Sequence, residues 1–342
     1  MAKHRIIAIG GTGYLGSRAV EALRKVPGLE VVVASRRGET RIDLGDPSTF
    51  SVLDGADLVV DLADATTTRP DAVARYCLEK GLRFLETTSD QTVIDGMLRD
   101  LRGTEGPGSV ILGAGIFTGL SNLMGARIAR EGGTVRLGIS TSPYSGAGKG
   151  TVALMAAALS TEAIAYKDDK RVIHPPTSKG PEIEFPGGRA PTLRVPFPEA
   201  VMIRTSTGAA TVDVFFAPKP SLLVYAFLVM PAFLLRARWF ARLMGAYFGF
   251  LRTKLLARSG TVSELVAEGD RGRVSLRAND GMHAGGVAIA AIIEALLEKP
   301  VAVKGCLTVD EVVSLGEIMK RFERLEPGLC TLQENYAENG RP

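Results

Sequence analysis

The chain has 342 residues, 46% of them hydrophobic, and a net charge of +4. That length and apolar content suit two domains with sizeable cores better than one compact domain. Three cysteines, Cys77, Cys306 and Cys330, show no CxxC or Cys/His ligand spacing, so neither a disulfide framework nor a zinc site is suggested and a reducing cytoplasm fits; no Lys/Arg stripe with interleaved aromatics marks the chain for nucleic acid.

The first residues, "MAKHRIIAIGGTG", run straight into an apolar strand, so a signal peptide is not expected. From Arg5 onward, short Val/Ile/Leu runs alternate with helical stretches: "IIAIG", "YLGSRAVEALRKV", "LEVVVAS", "ADLVVDLA", "RPDAVARYCLEKG", "RFLETTS", "QTVIDGMLRDLRG" and "SVILGAG". Such alternation implies crossover units and a parallel sheet covered on both faces, an α/β doubly wound domain of Rossmann type.

Its first turn is Gly10-Gly11-Thr12-Gly13-Tyr14-Leu15-Gly16, which satisfies GxGxxG from Gly11 and GxxGxxG from Gly10. Glycines there permit a tight turn and close approach of backbone to a pyrophosphate, which then sits on the positive end of the helix opening near Tyr14. A site for NAD normally closes the second strand with Asp or Glu, but this strand ends in Ser35, Arg36 and Arg37. Two guanidiniums suit a 2'-phosphate, so the expected cofactor is NADP.

Further on, "ADLVVDLADATTTRPDAVARYCLEKGLRFLETTSD" with its Glu86-Thr87-Thr88, "GAGIFTGLSNLMGARIA", "SGAGKGTVALMAAAL" and "NDGMHAGGVAIAAIIEALL" together resemble the saccharopine dehydrogenase-like oxidoreductases over most of the chain. The resemblance implies a nicotinamide-dependent oxidoreductase with Thr88 at the cofactor and a second, substrate-binding domain. The glycine loop is equally similar to those of atypical short-chain reductases and NmrA-like redox sensors, which keeps open a non-enzymatic NADP-binding regulator or scaffold, beside a reductase acting on a soluble amino-acid-derived substrate.

The catalytic residue is not fixed by the sequence. Tyr166 and Lys170 match the Tyr-x-x-x-Lys pair of short-chain reductases, but the alternation around them predicts two strands joined at Asp168-Asp169, a chance match to the motif. Tyr144 and Lys149, with Ser145 in the same glycine-rich loop, and His283 are the remaining candidates for proton transfer. His174 reads as structural. No metal is expected.

Beyond Val135 the pattern shifts to "VRLGIST", "EIEFPGG", "TLRVPFP", "AVMIRTS", "ATVDVFFAP", "SELVAEG" and "RVSLRAN", read as strands of a mixed or mostly antiparallel sheet, with helices near 150–165 and 284–298. The expected division is a Rossmann NADP-binding domain over 1–128, an α+β substrate and oligomerisation domain over 129–302, and a C-terminal segment of about 303–342 packing back on the first. In that segment Thr308 signals the start of an amphipathic helix.

One stretch inside the second domain stands apart. Between Asp213 and Glu264 there are seven basic residues and no acidic one, more than the net charge of the whole chain. Within it, Leu222–Leu235 and Trp239–Leu251 are apolar runs too short to span a bilayer and separated by arginines. A hairpin of two short helices is expected, with Arg236, Arg238, Arg242, Arg252 and Lys254 reaching headgroups. Residues 220–258 are therefore expected to make peripheral contact with an anionic membrane on the cytoplasmic side, near a hydrophobic, lipid-derived substrate. Ala237, Ala241, Gly245 and Gly249 form a strip of small residues that suits close helix contact, so a homodimer interface is the competing role for the same segment.

Overall fold

The computed structural model describes residues 4–63, 69–142, 154–155, 157–230, 239–240, 243–244, 246–247, 250, 261–299 and 305–337. These residues form two compact units: one comprises Met1–Leu123 with His283–Pro327, the other Met124–Met282 with Gly328–Pro342.

In the first unit the strands are β1 (His4–Ile9), β2 (Leu29–Ser35), β3 (Thr40–Arg41), β4 (Leu58–Asp61), β5 (Arg83–Glu86), β6 (Ser109–Leu112) and β16 (Gly305–Thr308), and every pairing is parallel. Their spatial order, β16-β6-β5-β4-β1-β2-β3, reverses direction at β1, the topological switch point where open α/β sheets bind ligands beyond the strand ends. Strands with both faces covered read as continuous apolar runs, and Ile6, Ile7, Ala8, Val59, Val60, Phe84 and Leu85 are all inaccessible to solvent. Helices α1 (Tyr14–Arg24), α2 (Asp71–Lys80) and α3 (Gln91–Leu101) make the crossovers.

Helix α7 (Gly281–Glu298) falls almost wholly in this unit, where the sequence reading had placed it in the second. Its glycines explain the difference. A Cβ on Gly286 would stand 2.7 Å from the backbone of Arg18, so only glycine lets α7 lie this close to α1. Helix α7 is apolar nearly all round and is the one helix among the described residues long and apolar enough to cross a membrane, but two thirds of that stretch is buried in the protein. The Arg83 guanidinium caps its C-terminal carbonyls at Leu296 and Lys299, and Glu294 and Glu298 pair with Arg324 and Arg321 of α8 (Leu315–Leu325).

The second unit holds a mixed sheet in the order β17-β15-β14-β7-β13-β8-β9. Its members are β7 (Thr134–Thr141), β8 (Ala163–Lys167), β9 (Lys170–His174), β13 (Thr211–Pro218), β14 (Ser263–Gly269), β15 (Gly272–Ala278) and β17 (Cys330–Tyr336). Only β7 and β13 run parallel. Strand β12 (Leu193–Arg194) pairs with β13, and the hairpin of β10 (Ile183–Phe185) and β11 (Gly188–Ala190) lies on the sheet, where Gly138 leaves room for Ile183. The sequence leads one to expect 303–342 on the first domain; Gly305–Pro327 lies in the first unit, and the last residues lie in the second, pairing with β15 across the register Gly272 to Tyr336.

A second difference is local. "AVMIRTS", expected as a strand, lies in helix α5 (Glu199–Thr207). Pro198 starts it, Glu199 occupies its first turn and Gly208 ends it in the left-handed conformation at φ 69°, and these start and stop signals outweigh the β-branched residues inside. Of the expected helix near 150–165, Leu154, Met155, Ala157 and Ala158 are helical, and the stretch from Ala163 belongs to β8.

Candidate functional site

The glycine loop follows β1 at the carboxyl edge of the parallel sheet. Gly10 adopts φ 73°, and a Cβ there would stand 2.8 Å from the backbone of Ala63, the residue two beyond the end of β4. A Cβ on Gly11 would meet Val20 at 2.9 Å, and one on Gly16 would meet the Gly10 carbonyl at 2.4 Å. The turn is closed by Gly13 N–H donating to that same carbonyl at 2.9 Å. Gly13 then sits at the N-cap of α1 without a side-chain cap, while Thr12 and Gly13 are exposed. Uncapped N–H groups over a side-chain-free floor form a cradle that an anion can approach closely.

Tyr14 and Leu15 begin the helix at the rim, both half-buried. The Arg18 guanidinium lies 3.8 Å from the centre of the Tyr14 ring and donates to the Tyr14 carbonyl, fixing a cation at the first turn. At the end of β2, Ser35 is half-buried and Arg36 and Arg37 are exposed, with no carboxylate in the strand end.

Three further loops share this edge. After β4, Leu62 N–H bonds the Ile9 carbonyl, holding the chain beside Gly10. After β5, Thr88 is half-buried and its groups are engaged locally: its N–H donates to Glu86 and its hydroxyl accepts from Asp90 N–H. After β6, Thr118 takes φ 59°, rare for a residue with a Cβ, and its hydroxyl donates toward the carbonyls of Phe117 and Thr88. Thr88 thus binds the loops after β5 and β6 to each other, and no contact of its side chain with the glycine loop is present among the described interactions.

Beneath these loops lies a feature the sequence reading passed over. Asp61 ends β4 and Glu86 ends β5; they face each other in register and are 3% and 1% exposed. Burial pushes the Asp61 carboxyl up to about 6, against the opposing effect of the Ala63 N–H. Burial, then the neighbouring Asp61 charge, raises Glu86 well above the usual carboxylate range, although N–H groups of Thr88 and Thr87 bond to it. The signal was present as an acid closing each of two buried apolar strands, "LVVD" and "RFLE".

The proton-transfer candidates fare unevenly. Tyr144, Ser145 and Lys149 lie outside the described residues, as do Arg236, Arg238, Arg242, Arg252, Lys254 and the small-residue strip. His283, half-buried, has its Nε2 3.5 Å from Glu326, which also binds Lys25 at 3.1 Å. Tyr166 and Lys170 fall on β8 and β9, and Asp168 and Asp169 between them take positive φ of 49° and 66°, the hairpin expected from the alternation.

In the second unit, Glu264, 1% exposed, accepts from Lys219 Nζ at one oxygen and from Arg277 Nη1 at 2.9 Å at the other. The two cations keep 38% and 42% of their side-chain surface exposed, so a net positive charge remains at the rim of the sheet. Elsewhere in this unit, Val224 and Phe227 of α6 (Leu222–Leu228) pack with Leu159, Leu193 and Phe240. Leu222, Tyr225, Val229, Trp239, Leu243, Tyr247 and Phe250 instead face outward, 48–81% exposed.

No family model matches the chain, and no curated protein matches it in sequence. Among solved structures, saccharopine dehydrogenase (L-Glu forming) from Saccharomyces cerevisiae is similar at a TM-score of 0.57 and 12% identity, covering 96% of this chain and 99% of that one. DAP dehydrogenase of C. glutamicum in complex with DAP scores 0.47 at 13% identity, covering 92% and 95%. An engineered D-amino acid dehydrogenase bound to NADP+ scores 0.45 at 13% identity, covering 91% and 95%. The first of these likenesses establishes that the chain has the saccharopine dehydrogenase fold.

Proposed function

We propose that the chain is a nicotinamide-dinucleotide-dependent oxidoreductase that prefers NADP. The observation that carries this reading is the cradle of Gly10, Gly11, Gly13 and Gly16 at the switch point, with exposed Arg36 and Arg37 closing the neighbouring strand where an NAD site would carry an acid. The cradle fits the group: the missing Cβ atoms let β1, α1 and the chain after β4 close tightly around the turn, and the N–H groups at the start of α1, with no side-chain cap, are left for phosphate oxygens. A dinucleotide held there supplies hydride transfer; the chain binds the pyrophosphate on α1 and pairs its guanidiniums with the 2'-phosphate. The similar solved structure with a TM-score of 0.57 is by name a dehydrogenase, which supports the same reaction class.

For the substrate, the outward-facing apolar residues of 222–250, set among seven basic residues, favour a hydrophobic molecule met at an anionic membrane surface on the cytoplasmic side. A second reading, a small charged substrate derived from an amino acid, is favoured by the Lys219–Glu264–Arg277 cluster. The deciding experiment is titration with NADPH and NADH, followed by NADPH oxidation in the presence of a lipid extract or of 2-oxo acids with amines. Equal affinity for the two dinucleotides overturns the NADP assignment. Tight NADPH binding with no turnover on either substrate class favours a regulator over an enzyme.

A further inference from the structure

Asp61 and Glu86 have no role in the dinucleotide contacts described above, yet they occupy its foundations. Directly paired residues of neighbouring strands lie about 4.8 Å apart, and this pair closes β4 and β5 side by side. Asp61 is also in register with Ile9, the residue before the glycine loop. Its Oδ1 accepts from Ala63 N–H at 2.8 Å, and Ala63 is the residue against which Gly10 rests. Its main-chain carbonyl accepts from the Thr87 hydroxyl at 2.6 Å. Glu86 Oε1 accepts from Thr88 N–H at 2.8 Å, and Glu86 Oε2 is buried with no hydrogen-bond partner among the described residues.

The groups acting on the pair from α2 are acidic or neutral. Asp71, in the first turn of α2, acts on Glu86, and the buried Cys77 thiol of the same helix lies close enough for Asp61 to act on it. Asp54 acts on Cys77 in turn. No cation is among the described groups that act on either carboxyl; Asp64 lies outside the described residues. Two ionised carboxylates in adjacent, buried positions without a cation repel each other and lose hydration, a state proteins avoid by keeping a proton.

We infer that Asp61 and Glu86 share one proton, carried on the Glu86 side where an oxygen lacks a partner, and that this singly charged pair is a positioning device holding the loops after β4 and β5 in the shape that binds the dinucleotide. The inference rests on the dinucleotide reading for its consequence but not for the proton itself. Loss of the proton sets a second negative charge beneath the backbone that supports Gly10, and the loops move to bring water in.

The test compares the full chain with Glu86→Gln and Asp61→Asn, near-isosteric changes that remove one charge. Melting midpoints without dinucleotide are measured from pH 4 to pH 9. Both carboxyls are raised by folding, so their stabilising protonated form is fully present below the ordinary carboxylate range; stability is lost as pH rises, through about pH 6 for Asp61 and further for Glu86. Wild type is expected to lose stability relative to Glu86→Gln over this window. NADPH affinity is expected to fall by up to about tenfold per pH unit above the pair's titration, the slope of one linked proton, and to stay flat in Glu86→Gln. In wild type alone, the infrared carbonyl band of a protonated carboxyl is expected at pH 7 and absent in Glu86→Gln, which decides the question even if a variant folds poorly. Parallel melting curves and no such band overturn the shared proton. Divergent melting curves with pH-independent NADPH affinity overturn the positioning role, and divergent curves with no NADPH binding at any pH overturn the positioning role together with the dinucleotide reading, leaving the proton in place.

Discussion

Gly16 and Gly10 are packed so closely that a Cβ on Gly16 would stand 2.4 Å from the Gly10 carbonyl oxygen, which also accepts the Gly13 N–H. Both contacts are to backbone, so neither can give way by a side-chain rotation. Gly16→Ala must therefore push the first turn of α1 away from β1, opening the cradle. We expect NADPH affinity to fall at least about tenfold, with a stability loss of roughly 1–3 kcal/mol, the usual range for overpacking. Dinucleotide titration with circular dichroism on the same sample checks both; unchanged affinity in a folded Gly16→Ala protein shows that the loop is only a structural turn.

Arg36 and Arg37 carry the choice of cofactor in this reading. Both are exposed, and no acid closes β2. Exchanging both for Ala removes up to two charge-assisted contacts to a 2'-phosphate, each worth about 1.5–3 kcal/mol. NADPH binding is expected to weaken at least about tenfold while NADH binding changes little, as measured by fluorescence titration. Equal losses for both dinucleotides assign the arginines to the shared part of the ligand.

The parts of the fold legible in sequence were those where one local signal dominated. Buried parallel strands announce themselves as apolar runs, and the hairpin around Asp168-Asp169 was visible because alternation on both arms outweighed a four-residue motif match. Helix α5 was misread because "AVMIRTS" suits a strand by composition, while Pro198 and Gly208, which decide it, sit outside the apolar run. Thr308 was read as the start of a long helix, but two capping signals follow each other: Thr308 with Glu311 closes a single 3-10 turn, and Ser314, accepting from Glu317 N–H, starts α8. The allocation of α7 and β17 to their units depends on contacts far off in the chain, Arg18 for Gly286 of α7 and Gly272–Ala278 for β17, which no local pattern records. In the candidate site the glycine loop was legible and the Asp61–Glu86 pair was not, because an acid at a strand end looks the same in sequence whether it is solvated or buried.

Glu264 should be structurally indispensable in the second unit. It is buried and meets Lys219 and Arg277, and a Cβ on Gly187 would press on its carboxylate at 2.7 Å. Glu264→Gln leaves two cations facing each other over a neutral amide. Breaking a wholly buried pair costs about 3–5 kcal/mol, but the cations are partly solvated, so about 2 kcal/mol is expected. Urea denaturation of the folded protein measures the loss. If the cluster reads a substrate carboxylate, Arg277→Lys will instead leave stability nearly unchanged and raise KM for a 2-oxo acid; an unaffected KM assigns the cluster to stability alone.

The exposed apolar face can be tested through its own reporter. Trp239 is the chain's single tryptophan, 60% exposed, so intrinsic emission reports on this face without labelling. If residues 220–258 rest on an anionic bilayer, vesicles containing phosphatidylserine will shift that emission to the blue, and neutral vesicles will do so less. Burial contributes roughly 25 cal/mol per Å² of apolar surface and each basic residue near the headgroups about 1 kcal/mol, the latter screened over about 8 Å at physiological salt. The shift is therefore expected to weaken as salt rises. Changing Arg236, Arg238 and Arg242 to Glu should remove the preference for anionic vesicles while leaving NADPH affinity intact, since these residues belong to the second unit and the glycine loop to the first. Leu222→Ser with Tyr225→Ser should weaken binding to both vesicle types, because those side chains face outward from α6. An emission spectrum indifferent to vesicles, together with a dimer in sedimentation that Leu222→Ser and Tyr225→Ser dissociate, assigns the face to a second copy of the chain instead.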